Sequence, residues 1–87
     1  MLTDQQIEDA VLQGVESALG VPRERVQLTD HLIRDLRMDT DLAFNDLFLP
    51  ALEAVLRVRL SNYGWDGVFS VGDVVNLVQQ QRDNGML

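Results

Sequence analysis

Thr3-Asp4-Gln5-Gln6-Ile7-Glu8-Asp9-Ala10-Val11-Leu12-Gln13-Gly14-Val15-Glu16-Ser17-Ala18-Leu19-Gly20 reads as one helix with both ends marked. Thr3 and Gln6 stand at the spacing of a capping box, in which a hydroxyl and an amide satisfy backbone donors that the first turn leaves without partners. Ile7, Ala10, Val11, Gly14, Val15, Ala18 and Leu19 recur at i, i+3 and i+4, which is the helical period. Gly14 costs about 1 kcal/mol relative to alanine inside a helix, so its presence there marks a close approach of backbones. Gly20 supplies the left-handed stop, and Pro22 cannot continue the helix.

Outward from this helix the pattern fades and then returns twice. Between Val21 and Met38 the apolar residues Val26, Leu28, Leu32, Ile33 and Leu36 are irregularly spaced. They predict a long ordered loop that packs over the core, with a helical turn near Pro22–Val26. Phe44, Leu47, Phe48, Ala51, Leu52, Val55 and Leu56 then keep one helical phase across Pro50, predicting a second helix over 42–60. Its N-cap is Asp41, Asn45 or Asp46. Pro50 either kinks that helix or stands just inside the start of a shorter one, because it lacks an N–H and crowds the preceding turn. Residues 61–67 form a turn-rich connector with room for a short helix over 62–68. Ser70 and Asp73 make a second capping box, and Val71, Val74, Val75 and Val78 form the buried stripe of a last helix over 70–81. The polar tail 82–87 is expected to fray.

The chain of 87 residues carries no repeat, low-complexity tract or linker, and is read as a single domain spanning 1–87. It has no cysteine, which excludes disulfides, thiol catalysis and cysteine-ligated metal sites. It has no lysine either, which removes Schiff-base chemistry. The net charge of −7 repels a phosphate backbone and favours basic protein surfaces over nucleic acid. No apolar run approaches the roughly 20 residues of a membrane span, and no signal peptide opens the chain. A cytoplasmic, monomeric, non-enzymatic protein is the expectation.

Leu19-Gly20-Val21, then Val26, then Leu32-Ile33-Arg34-Asp35-Leu36 resembles the first half of an acyl carrier protein. In that family a helix ends in L-G-V, a polar stretch leads to a single valine, and a long loop closes with D-L. Ser70-Val71-Gly72-Asp73-Val74-Val75-Asn76-Leu77-Val78 is similar to the family's last helix. The resemblance implies an all-α fold: a small acyl-carrier-protein-like bundle of three main helices, with a long ordered loop after the first. It also implies a phosphopantetheine arm on a serine in D-S-L, four residues after D-L. Here that count reaches Thr40, in Asp39-Thr40-Asp41, and no serine stands between Ser17 and Ser61. Asp41 replaces the expected leucine.

Two functions follow from the resemblance. In one, Thr40 tethers an acyl group through phosphopantetheine, with Asp39 and Asp41 flanking it, for partner enzymes of fatty acid or polyketide biosynthesis. In the other, the chain is an adaptor that keeps the fold without the arm, and Thr40 is a helix-entrance residue. Under either, the second helix is the face that basic patches of partner or modifying enzymes read, through Asp41, Asp46, Glu53 and Arg57. Glu53 and Arg57 are spaced i, i+4 and are expected to pair. Arg57 and Arg59 suit the C-terminal end of the helix dipole. Asp39, Asp41, Asn45 and Asp46 lack the glycine and late glutamate of a calcium loop and read as a solvated helix entrance, so no metal is expected. His31 has no nucleophile beside it in a recognisable order and is expected to be a loop residue. Trp65 is expected to lie as a lid over the bundle end.

Overall fold

The computed structural model describes residues 2–87, and among them the fold is all-helical. Helix α1 spans Asp4–Leu19, a 3₁₀ turn covers Arg23–Arg25, and a π-helical stretch, Leu42–Phe48, runs directly into α2, Leu49–Leu56. A second 3₁₀ turn, Trp65–Gly67, precedes α3, Val71–Asp83. Three main helices, the long loop after the first and both predicted short turns are therefore present. No described helix is long and apolar enough to cross a membrane.

The ends of α1 follow the local chemistry of its sequence. Thr3 Oγ1 accepts from the Gln6 N–H at 3.1 Å, and the Gln6 side chain accepts from the Thr3 N–H at 2.8 Å. Gly20 takes φ +72°, and its N–H reaches the Glu16 carbonyl at 2.8 Å. Ile7, Ala10, Val11 and Val15 are buried against Phe48, Leu52 and Leu56 of the second segment and Val71, Val74 and Val78 of α3. Burying each large apolar side chain contributes about 1.5–3 kcal/mol. Gly14 marks the close approach its position predicted. A Cβ there would stand 3.3 Å from Cε1 of Phe48 and 3.5 Å from Cβ of Leu52.

The second helix departs from its predicted 42–60. Its first seven residues are π-helical, and the Leu49 N–H bonds back to the Phe44 carbonyl, five residues earlier. The break falls just before Pro50, so that proline sits in the first turn of α2, where a missing N–H leaves no intrahelical bond unmade. Both alternatives for Pro50 are thus half realised: the helix is continuous in space, yet a fresh α register begins at Leu49. The change of register also turns Leu47 outward, 43% exposed, although its spacing places it on the apolar stripe. The segment ends at Leu56, not Leu60, because Arg57 adopts the left-handed conformation at φ +60° and closes the helix.

The long loop is pinned to α3. His31 and Ser70 form an isolated antiparallel bridge. Around it the Leu32 N–H bonds to the Phe69 carbonyl at 2.8 Å, the Val71 N–H to Asp30 at 3.0 Å and the Gly72 N–H to Leu28 at 2.7 Å. Val26 and Leu32 reach the core, as does Met38 at the loop's end, and Leu36 packs against it. Leu28 and Ile33 remain exposed, so the predicted apolar lining of the loop is only partly used.

Helix α3 opens with its predicted capping box, Asp73 N–H to Ser70 Oγ at 3.1 Å and Ser70 N–H to Asp73 Oδ2 at 3.0 Å. It continues to Asp83, and the tail folds back on the bundle. Gly85 turns at φ +71°, the Met86 N–H bonds to the Gln81 carbonyl at 2.8 Å, and Leu87 packs on the core. Arg82 Nη1 donates to the Leu2 carbonyl at 2.9 Å and pairs with Asp4 at 2.7 Å, joining the two ends of the chain.

Candidate functional site

Thr40 stands where the long loop enters the second helix, and it is exposed. Its Oγ1 accepts from the Ala43 N–H at 3.0 Å and its carbonyl accepts from the Phe44 N–H at 3.1 Å. Thr40 therefore caps the segment, since Asp41 already has helical dihedrals and makes no side-chain capping bond. An accepted hydrogen bond leaves the hydroxyl proton and a second lone pair of Oγ1 unused.

Beside Thr40 opens a cleft of about 250 Å³. Met38, Phe44, Val68 and Phe69 give it apolar walls, Ile33 lies at one side, and Asp39 and Asp41 join Thr40 along another. Phe69 is 58% exposed and stacks on His31, with ring centroids 6.3 Å apart. The imidazole is committed to the loop: Nδ1 accepts from the Ile33 and Arg34 N–H groups, both at 3.1 Å. Its ring proton therefore lies on Nε2. This matches a loop residue.

Phe44 belongs to an aromatic cluster whose other members, Phe48 and Trp65, do not line the cleft. Phe44 meets Phe48 at a centroid distance of 5.7 Å and Trp65 edge-on at 5.6 Å. Trp65 is half-buried against the core, as expected, and donates from Nε1 to the Ser61 carbonyl at 2.8 Å. Phe48 is wholly buried, against Gly14 of α1, and is not part of the cleft wall.

The acidic residues are placed as the sequence arranged them, with one correction. Asp39, Asp41 and Asp46 are exposed, and among the described residues none of them is in an ion pair. They do not gather with a further carboxylate or imidazole into a group able to hold a metal ion, among the described residues. Glu53 and Arg57 do not pair. The Glu53 carboxylate turns instead to the Leu60 N–H, at 2.7 Å, because the chain reverses at Arg57 and brings that donor back over α2. Arg57 and Arg59 accordingly lie outside the last helical turn, and the helix has no basic residue there.

Two further residues position this end of the molecule, one of them a member of the α3 capping box. Asp73 holds both the Phe69 and the Ser70 N–H groups on Oδ2, each at 3.0 Å, which fixes Phe69 at the cleft wall. Those backbone bonds, that from Phe69 foremost, lower the Asp73 carboxyl below its ordinary 3.8. Gln81 is the other, a buried amide that binds the 61–63 connector. Its spacing offered a signal, since it lies three residues beyond Val78 on the buried stripe of α3.

The chain matches no protein-family model, and no curated protein aligns with it significantly.

Proposed function

We propose that this chain is an acyl carrier protein-like docking protein, a cytoplasmic monomer that presents Thr40 and the cleft beside it to partner enzymes. One observation carries the proposal: an exposed hydroxyl at the start of the second helical segment forms part of the wall of an apolar cleft, between two unpaired aspartates. Thr40 Oγ1 is the point at which phosphopantetheine would be held, and its exposure and unused lone pair fit that group. When bound, the arm supplies a thiol that carries an acyl group. Met38, Phe44, Val68 and Phe69 would shield an apolar chain from water. Asp39, Asp41 and Asp46 draw a basic surface toward the site and orient it. Glu53 is given over to the Leu60 N–H, so the docking face is narrower than the sequence implied, and Arg57 borders it as a cation.

A second function, the adaptor without an arm, is favoured by one contact. The Thr40 hydroxyl already has structural employment as the acceptor of the Ala43 N–H. A secondary alcohol with a methyl group is also a more hindered nucleophile than a serine.

Intact-mass spectrometry decides between the two, after incubation with coenzyme A and a broad-specificity phosphopantetheinyl transferase. Wild type, Thr40→Ser and Thr40→Ala are run together. A one-arm mass gain on wild type that vanishes in Thr40→Ala establishes the carrier. A gain on Thr40→Ser alone means an intact docking surface around a hydroxyl this transferase does not use, and favours the adaptor. No gain on any of the three counts against a carrier-type docking surface altogether.

A further inference from the structure

We propose that Leu42–Phe48 is a register switch, exchanging between the π-helix seen here and a continuous α-helix, with Asp41 and Pro50 holding the π form. The exchange would regulate the cleft beside Thr40. It concerns the same site as the function proposed above but requires neither an arm nor a partner, so the two stand or fall separately.

Three observations lead to it. Seven consecutive residues are π-helical, a long run for a form that is rare and usually limited to a single turn inside an α-helix. The side chains of the segment are compatible with both registers, since Phe44 and Phe48 are four apart and Leu52 is four further on, all touching the core. Thr40, Asp41 and Phe44 are all wall residues of the cleft and all lie upstream of the register break at Leu49.

Asp41 and Pro50 explain which register wins. In a continuous α-helix residues 41, 44 and 48 fall at i, i+3 and i+7 and share one face. That would turn the Asp41 carboxylate toward the side on which Phe44 and the wholly buried Phe48 pack, where an unpaired charge is strongly disfavoured. The wider π turn leaves Asp41 exposed in solvent. Pro50 adds to the bias, because the break places it in a first turn, whereas a continuous α-helix would set its ring against the Asp46 carbonyl.

One residue of helix corresponds to a rotation of about 100°. A change of register therefore swings Thr40, Asp41 and Phe44 around the axis of α2 and rebuilds one side of the cleft. A cationic group on a partner that pairs with Asp41 in solvent binds the π form better and holds the cleft in the shape described here.

Solution NMR on the complete, unmodified chain tests this. Relaxation dispersion should show microsecond-to-millisecond exchange confined to residues 40–49, with minor-state carbonyl and Cα shifts moving toward α-helical values. Couplings across hydrogen bonds should assign the Leu49 N–H to the Phe44 carbonyl in wild type. In the double variant Asp41→Leu, Pro50→Ala the acceptor should become Asn45. The proposal is overturned if wild type shows no such exchange, or if the folded double variant keeps Phe44 as acceptor. Should the double variant fail to fold, the minor-state shifts of wild type decide alone: α-helical values uphold the switch and coil values overturn it.

Discussion

Gln81 binds both backbone groups of Ser61. The Ser61 N–H donates to Gln81 Oε1 at 2.9 Å, and Gln81 Nε2 donates to the Ser61 carbonyl at 3.1 Å, with a further bond to the Tyr63 carbonyl at 3.1 Å. The side chain is only 1% exposed, and no buried polar side-chain atom among the described residues is left without a partner. The connector between α2 and α3 is therefore held by an amide that imitates a strand neighbour. Its orientation follows from the network, since only the oxygen can accept from Ser61.

Replacing Gln81 with leucine roughly keeps the volume but strands the Ser61 N–H and the Tyr63 carbonyl, while the Ser61 carbonyl keeps the Trp65 indole N–H. The cost should be about 2–4 kcal/mol, from the typical penalty of an unsatisfied buried group taken more than once. Urea denaturation followed by circular dichroism measures it. Trp65 fluorescence should shift as well, because its position depends on the same Ser61 carbonyl.

Gly14→Val should destabilise by about 1–3 kcal/mol, the usual cost of overpacking, despite the better helix propensity of valine over glycine. The nearest atom to the new Cβ is Cε1 of Phe48, a ring with no exposed surface and little room to retreat. An unchanged or raised melting temperature would mean that α1 and α2 can separate without loss.

Thr40 makes separable contributions to stability and to chemistry. Thr40→Ala should cost about 1 kcal/mol because the Ala43 N–H loses its acceptor, whereas Thr40→Ser should be nearly neutral. Thermal melts of the two variants beside wild type give the comparison. Equal losses in both would show that the methyl group matters and the cap does not.

Asp73 confers a dependence on acid with a definite sign. Its carboxyl is held below 3.8 in the folded chain, chiefly by the Phe69 N–H and then by that of Ser70. The folded state thus binds a proton less readily than the unfolded one, and the associated stability is complete above the unfolded value. It declines as the pH falls below 3.8 toward the lower folded value. Chemical denaturation of wild type and Asp73→Ala should differ at pH 7 and converge as the pH falls through that window. A difference that stays constant into acid would assign the contribution to packing.

The parts of the fold that were legible in the sequence are those decided within one helical turn. Thr3 with Gln6 and Ser70 with Asp73 announce their helices because hydroxyl and carboxamide or carboxylate need only the next three residues to act. Thr40 was picked out by counting from Leu36, and it stands exposed at the helix entrance. The π register was not legible, because the apolar residues from Phe44 to Leu56 suit an unbroken α-helix and only Asp41 and Pro50 together disfavour it. Glu53 was misread for a related reason. Its partner, the Leu60 N–H, arrives only after Arg57 takes a left-handed turn that side-chain pattern does not encode. The cleft itself brings Met38, Phe44 and Phe69 together from three separate stretches, and no local spacing relates them.

The seam of backbone bonds joining Leu28, Asp30 and Leu32 to Phe69, Val71 and Gly72 has a kinetic meaning. It links opposite halves of the chain, whereas each helix closes its bonds locally, so the seam carries a loop-closure cost that no single helix does. Weakening it should hasten unfolding far more than it slows refolding. Gly72 limits how the seam can vary, because a Cβ at that position would lie 3.0 Å from the Leu28 carbonyl oxygen. The wall of the cleft that the long loop carries therefore persists only as long as that fastening does.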